Sequence, residues 1–104
     1  MIEHFVLFKA KPGQSDDVDA ALREYEAGIR DLPSLLELTW GPNMSERSVE
    51  MGWTHGMLTR LTDYDAFLNE YWPHEAHEVL LPKLDASCEV RFAIDYEVED
   101  PKVS

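Results

Sequence analysis

The sequence has almost no cysteine for disulfide cross-links and no long apolar run for a membrane span. Its one cysteine, Cys88, cannot form a disulfide within the chain, so we expect a reducing compartment and a fold held by packing. No apolar run reaches the roughly 18 residues of a membrane span, and no basic segment with a small-residue cleavage site precedes the first strand-like residues. We therefore expect a cytoplasmic protein with no membrane partner.

Basic residues are scarce as well. Nine Lys and Arg stand against 21 Asp and Glu, which gives a formal net charge of −12. Such a surface repels phosphate backbones, so we expect no nucleic-acid partner. The sequence also lacks a glycine-rich phosphate loop, a Gly-x-Ser-x-Gly elbow and a paired-carboxylate signature. These absences argue against nucleotide-dependent chemistry and against the hydrolase classes.

What the sequence does contain is enough apolar material for one folded core. Hydrophobic residues make up 44% of the 104 residues, which predicts a single globular domain over 1–104. A domain this short buries only about two-thirds of its unfolded surface, so oligomerisation would add useful burial.

The periodicity of the apolar residues predicts the order strand, helix, strand, strand, helix, strand. This order is typical of the α+β class with a ferredoxin-like arrangement, a four-stranded antiparallel sheet with the helices on one face. The predicted strands are 2–9, 35–40, 53–61 and 88–96. The predicted helices are one that Ser15 caps and Pro33 ends, one from a capping signal at 62–65 to Pro73, and a short one over 73–81 before Pro82. A loop is predicted over 44–50, and an acidic, frayed tail over 97–104.

The same patterns assign the faces of each element. The first helix has one apolar stripe, formed by Val18, Leu22, Tyr25, Ile29 and Leu32, and the second is expected to turn Tyr64, Phe67, Leu68 and Tyr71 inward. The first strand is apolar on both faces, with Ile2, His4, Val6 and Phe8 opposite Phe5 and Leu7. In the last strand, Cys88, Val90, Phe92, Ile94 and Tyr96 alternate with Glu89, Arg91, Ala93 and Asp95. The sheet face away from the helices therefore needs a cover, and a homodimer that packs sheet against sheet is the simplest one.

The candidate chemistry lies in the histidines. His4 and His55 fall on neighbouring strands, whereas His74 and His77 follow Pro73 at the start of a helix, with Tyr71 just before it. These residues could converge on one pocket between helix and sheet, although each histidine could equally be an ordinary packed or surface residue. A metal site is the weaker alternative, because the two helical histidines do not have zinc-protease spacing. We expect no bound metal, and Cys88 is expected to be a buried small hydrophobe.

Five segments together resemble the stress-responsive dimeric α+β barrel family. They are His4-Phe5-Val6-Leu7-Phe8-Lys9, Trp40-Gly41-Pro42-Asn43, Gly52-Trp53-Thr54-His55-Gly56, Tyr71-Trp72-Pro73-His74-Glu75-Ala76-His77 and Ile94-Asp95-Tyr96. The resemblance covers nearly the whole chain and implies a ferredoxin-like protomer that forms a barrel dimer. Most members have no established activity, but one plant member is a polyketide cyclase that needs no cofactor and performs an intramolecular aldol condensation.

Similarity to that cyclase implies a role for each matching residue. Tyr71 and His77 correspond to its catalytic pair, His4 and His55 to its pocket-lining histidines, and Asp95 to a carboxylate near the catalytic histidine. The chain departs from the family at Glu75, where proline is usual. Arg91 would face the pocket together with Asp95, where an apolar residue would suit an alkyl chain better.

Two functions follow as expectations. The first is a cofactor-independent enzyme that performs acid/base chemistry on a small carbonyl substrate, with His77 as general base, Asp95 orienting its imidazole and Tyr71 donating to the enolate oxygen. The alternative is a non-catalytic stress-responsive barrel protein in which the histidines only pack. Monooxygenases share the barrel superfamily and form a third possibility, but none of their site patterns is recognisable in the sequence.

Overall fold

Four strands form one antiparallel sheet in the order β2-β3-β1-β4 in the computed structural model, which describes residues 1–99. The strands are β1 (Ile2–Ala10), β2 (Leu35–Pro42), β3 (His55–Leu61) and β4 (Cys88–Glu97). The helices are α1 (Ser15–Ile29), α2 (Glu46–Glu50), α3 (Tyr64–Ala66), which continues as a π-helical turn over Phe67–Tyr71, and α4 (Glu75–Ser87). This arrangement confirms the ferredoxin-like α+β fold. No helix within residues 1–99 is long and apolar enough to cross a membrane.

The core lies between the helices and one face of the sheet. The predicted alternation of β1 is confirmed, because Ile2, Val6 and Phe8 are buried on the helix side while Phe5 remains exposed. The whole predicted stripe from Val18 to Leu32 is buried too, although α1 itself ends at Ile29, four residues before Pro33. These two apolar surfaces pack against each other, and their burial fixes which sheet face carries the helices.

Two further details of the helix termini differ from the predictions. Ser15 is the first residue of α1 and not its cap, since Gln14 precedes the helix and gives no side-chain hydrogen bond. Pro82 does not end a helix either, because α4 continues through it to Ser87. An internal proline costs a helix about 3 kcal/mol. Burial of Leu80 and Leu84 on either side offsets that cost at roughly 1.5–3 kcal/mol for each side chain.

Two short helical segments, α2 and the π-helical turn after α3, were not predicted from the sequence. The predicted loop over 44–50 contains the one-turn helix α2. The predicted cap before α3 is confirmed, as the Asp63 carboxylate accepts a hydrogen bond from the Ala66 amide at 2.8 Å. The wider π-helical turn after α3 then keeps Phe67 and Tyr71 inside but leaves Tyr64 and Leu68 exposed, so their predicted inward orientation is wrong.

A bulge changes the faces of β4. Lys9 is paired with Val90 but Ala10 with Cys88, so Glu89 is an extra residue at the start of the strand. Cys88 is therefore buried in the core, as a small hydrophobe, and not on the face of Val90 where strict alternation put it. Beyond the bulge the alternation holds, with Arg91, Ala93 and Asp95 paired opposite inward-facing residues of β1.

The other face of the sheet carries a continuous apolar surface. Phe92, Ile94 and Tyr96 are each about half exposed, and Phe5 is 38% exposed beside them. Single protomers rarely expose a patch of this kind, and its usual explanation is a protein interface. The protomer thus has the uncovered apolar sheet face that the sequence predicted.

Candidate functional site

A cavity of about 190 Å³ lies between the helix side of the sheet and the start of α4. Most of its wall is apolar, formed by Val6, Phe8, Met57, Trp72, Leu80, Leu81, Leu84 and Ala93. Four polar side chains interrupt this wall, namely His4, Tyr71, His77 and Arg91. An apolar cleft with a few convergent polar groups is the usual form of a small-molecule site.

His77 is held as a neutral base. It lies in the first turn of α4 and is only 4% exposed, and its Nδ1 donates a hydrogen bond to the Trp72 carbonyl at 3.1 Å. Burial lowers the pKa of His77 to about 4; the hydrogen bond to the Trp72 carbonyl opposes this decrease, and nearby His4 and Arg91 add to it. At neutral pH the imidazole is therefore uncharged, with its proton on Nδ1. The lone pair on Nε2 remains available to take a proton from a ligand.

Tyr71 lies beside His77 on the preceding π-helical turn. The two ring centroids are 5.0 Å apart, although Pro73 separates the helical segments that carry them. The Tyr25 hydroxyl of α1 donates a hydrogen bond to the Tyr71 hydroxyl. Burial raises the pKa of Tyr71 to about 12, while the hydrogen bond from Tyr25 opposes that increase. Tyr71 is thus a protonated phenol whose own hydrogen is not used in the bond from Tyr25.

Asp95 fixes His4 and not His77. The two residues are paired across β1 and β4, and the His4 Nδ1 forms a hydrogen bond with the Asp95 carboxylate. The prediction that Asp95 orients the His77 imidazole is wrong, because the Trp72 carbonyl occupies that position. His4 is also packed by its ring against Phe67 and Tyr71, at centroid distances of 5.2 and 5.6 Å. The site therefore has two separately oriented imidazoles.

The predicted convergence of four histidines is wrong for two of them. His55 is paired opposite Phe8, four residues along β1 from His4, which is about 13 Å along the strand. Its buried ring contacts Asp19 of α1 at 2.7 Å and Thr54 at 2.8 Å. His74 instead caps α4 and contacts Asp31 at 2.8 Å near the surface. Alternation along a strand gives the face of a residue but not its distance along the sheet, which explains the error.

Tyr25 is the site residue that sequence reasoning assigned only to the core. It occupies an ordinary apolar stripe at helical spacing, so no local signal marked its hydroxyl as a partner for Tyr71. Thr59, paired with His4 on β3, was not predicted at the site either, and its buried hydroxyl interacts with the Tyr71 hydroxyl. Within residues 1–99, no group of three or more His, Cys, Asp and Glu side chains could hold a metal ion.

Fold and site together define a ferredoxin-like α+β domain with a histidine- and tyrosine-containing cavity on the helix side of its sheet. The family model described as Stress responsive A/B Barrel Domain matches residues 2–98. The chain belongs to this family. No curated protein sequence matches the chain.

Proteins of known structure that share this fold have different functions, and some have none assigned. A dimeric ferredoxin-like protein of unknown function from Jannaschia sp. CCS1 is 27% identical, with a TM-score of 0.81 over 93% of this chain and 98% of that one. A hydroxynitrile lyase from Passiflora edulis is 19% identical, with a TM-score of 0.77 over 98% and 96%. An antibiotic biosynthesis monooxygenase is 18% identical, with a TM-score of 0.77 over 96% and 100%. The latter two support the fold alone.

Proposed function

We propose that the protein is a cofactor-independent enzyme that performs acid/base chemistry on a small carbonyl compound. The reaction is an aldol condensation or enolisation of a β-keto substrate, of the kind performed by olivetolic acid cyclase, the polyketide cyclase that the sequence resembles. The observation that carries this proposal is the neutral, buried His77, whose Nε2 has no hydrogen-bond partner within residues 1–99 and lies in a cavity that His77 shares with Tyr71 and His4.

The geometry supports a division of roles between these groups. Nε2 of His77 takes the proton from the carbon beside the carbonyl, the electron pair of the broken C–H bond forms the enolate C=C bond, and the π electron pair of the carbonyl moves to its oxygen. The Tyr71 hydroxyl donates to that developing enolate oxygen, strengthened by the hydrogen bond from Tyr25. His4, oriented by Asp95, presents its other ring nitrogen to the substrate.

We further propose that the protein is a cytoplasmic homodimer formed through the exposed sheet face. Support comes from the half-exposed Phe92, Ile94 and Tyr96, and from the related Jannaschia structure, which is described as dimeric. The cavity lies on the opposite side of the sheet from this face. Dimerisation would therefore cover the apolar surface without closing the site.

The test is deuterium exchange at the carbon between the two carbonyl groups of a short β-keto thioester, followed by NMR. We expect Tyr71→Phe and His77→Gln each to lower the catalysed rate at least tenfold, because a positioned acid or base contributes about 10²–10⁴-fold. His74→Asn is the matched control, since it changes a histidine outside the cavity and keeps a side chain that can cap α4. Full activity of either cavity variant would refute the proposed roles.

A non-catalytic barrel protein is the second candidate function. The specific observation in its favour is that Tyr71 is fully buried and is hydrogen-bonded to Tyr25 inside the core. In that case Tyr71→Phe would reduce folding stability and leave no exchange activity to lose. Wild-type protein that does not accelerate exchange above the rate in buffer would favour this candidate.

A further inference from the structure

Arg91 is an unexpected residue in an otherwise apolar part of the cavity wall. Of the described residues that line the cavity, it alone carries a permanent positive charge. It lies on β4 opposite Phe8, and its neighbours in the wall include Leu81 and Leu84. A wall built only to hold an alkyl chain would be expected to have an apolar side chain at this position.

The guanidinium group is only partly used by the protein. One N–H group on Nη1 donates to the Leu81 carbonyl at 3.3 Å, and Nη2 pairs with the Asp85 carboxylate. An arginine carries five N–H donors, so three of them have no partner in the part of the chain that the structure describes. The Asp85 side chain is 66% exposed, and exposed ion pairs are worth only about 0–1 kcal/mol. Arg91 can therefore bind a second anion at little cost.

We propose that the substrate carries a carboxylate and that Arg91 binds it at one end of the cavity, while the carbonyl end reaches His77 and Tyr71. This inference rests on the proposed acid/base function and names the substrate class for the same site. A planar guanidinium pairs with a carboxylate through two parallel hydrogen bonds, which selects a carboxylate over a neutral group of the same shape.

The size of the cavity and the placement of its charges favour a short keto acid. About 190 Å³ is less than the roughly 300–1,000 Å³ of clefts that hold drug-sized ligands. Arg91 and Asp95 are four residues apart on β4, so their Cα atoms are separated by about 13 Å. The carboxylate would thus lie some distance from His4 and its partner Asp95. A cavity of this size has room for only a few carbon atoms between the carboxylate and the reacting carbonyl.

The charge of a bound carboxylate would also assist the base. The positive charge of Arg91 contributes to the lowered pKa of His77, after the larger effect of burial. A carboxylate on Arg91 would offset that charge, so His77 would become a stronger base when the substrate is present. The net charge of −12 does not prevent such binding, because salt screens distant charges over about 8 Å at physiological ionic strength.

The first experiment measures binding without turnover, by NMR titration with hexanoate and hexanamide. These ligands have the same shape and differ in charge. We expect hexanoate to bind at least tenfold more tightly, and Arg91→Gln to abolish the difference. Asp85→Asn should tighten hexanoate binding, because it removes the competing carboxylate. Arg30→Gln, at an exposed arginine of a surface ion pair, is the matched control and should keep the preference. Equal binding of the two ligands, or a preference that survives in Arg91→Gln, would overturn the proposal.

The second experiment separates this proposal from the proposed function. It compares deuterium exchange of 4,6-dioxoheptanoate and of its amide, and we expect the acid to be favoured at least tenfold through Arg91. Acceleration that is equal for the acid and the amide would overturn the carboxylate proposal while keeping the acid/base function. A preference for hexanoate that depends on Arg91, without any accelerated exchange, would support the anion site and count against the acid/base function.

Discussion

His77 should make folding stability depend on pH in a defined direction. Its pKa in the folded protein is about 4, whereas an exposed histidine titrates near 6.5. Between these two values the unfolded chain binds a proton that the folded protein does not bind. The free energy of unfolding therefore falls as pH is lowered, and the contribution of His77 is fully present above pH 6.5 and lost as pH falls to about 4.

The size of the effect follows from the two pKa values. Their difference is 6.5 − 4 = 2.5, and each pKa unit corresponds to about 1.4 kcal/mol, which gives about 3 kcal/mol. Solvent reduces this value little, because the His77 side chain is almost completely buried. A loss of about 3 kcal/mol is a large part of the roughly 5–15 kcal/mol by which small domains are stable.

The assay is urea unfolding of the wild type and of His77→Gln at pH 7.5 and pH 4.5. Glutamine cannot titrate, so the variant should lose about 2–3 kcal/mol less than the wild type between the two pH values. The carboxylates titrate in both proteins and cancel in the comparison. His74→Asn is the control and should keep most of the wild-type pH dependence, since His74 makes only the smallest contribution to the lowered pKa of His77. An identical loss in wild type and His77→Gln would show that burial does not hold His77 neutral.

Three further predictions concern assembly, packing and the site. Ile94→Asp should convert the proposed dimer to a monomer, because a buried unpaired charge costs several kcal/mol; light scattering that shows a monomeric wild type would contradict this. Gly28→Val should lower the free energy of unfolding by about 1–3 kcal/mol in urea titrations, because a Cβ atom added at position 28 would lie only 3.1 Å from the Cβ of Ala76. A variant as stable as the wild type would refute this. Tyr25→Phe should lower kcat several-fold with KM unchanged, because it weakens Tyr71 as a donor; unchanged kcat would remove Tyr25 from the site.

The fold could be predicted well because its signals are local and repeated. Alternation along β1 and the stripe from Val18 to Leu32 each follow from one period over many residues. The errors fell where a single residue alters the period. The bulge at Glu89 placed Cys88 on the opposite face, and the π-helical turn left Leu68 outside. Such irregularities depend on pairing with a neighbouring element, which the local sequence does not contain.

The candidate site could be predicted only in part, and mostly through the resemblance to a family. Tyr71 and His77 do lie together, as the predicted convergence on one pocket required, and His4 joins them. The partners were assigned less well, since Asp95 binds His4 and the Trp72 carbonyl orients His77. A backbone carbonyl has no signature in the sequence, because every residue carries one.

The sequence by itself determined the class of the fold, the apolar faces of the strands and the presence of an uncovered sheet surface, because side-chain period and burial are coupled wherever a core forms. Only the tertiary structure decided which histidines share a cavity and which hydrogen bonds fix their tautomers. Those properties depend on distances between β1, β4 and α4, set by strand register and by the path of the chain around Pro73. The neutral state of His77 is of this second kind, since burial by distant residues lowers its pKa.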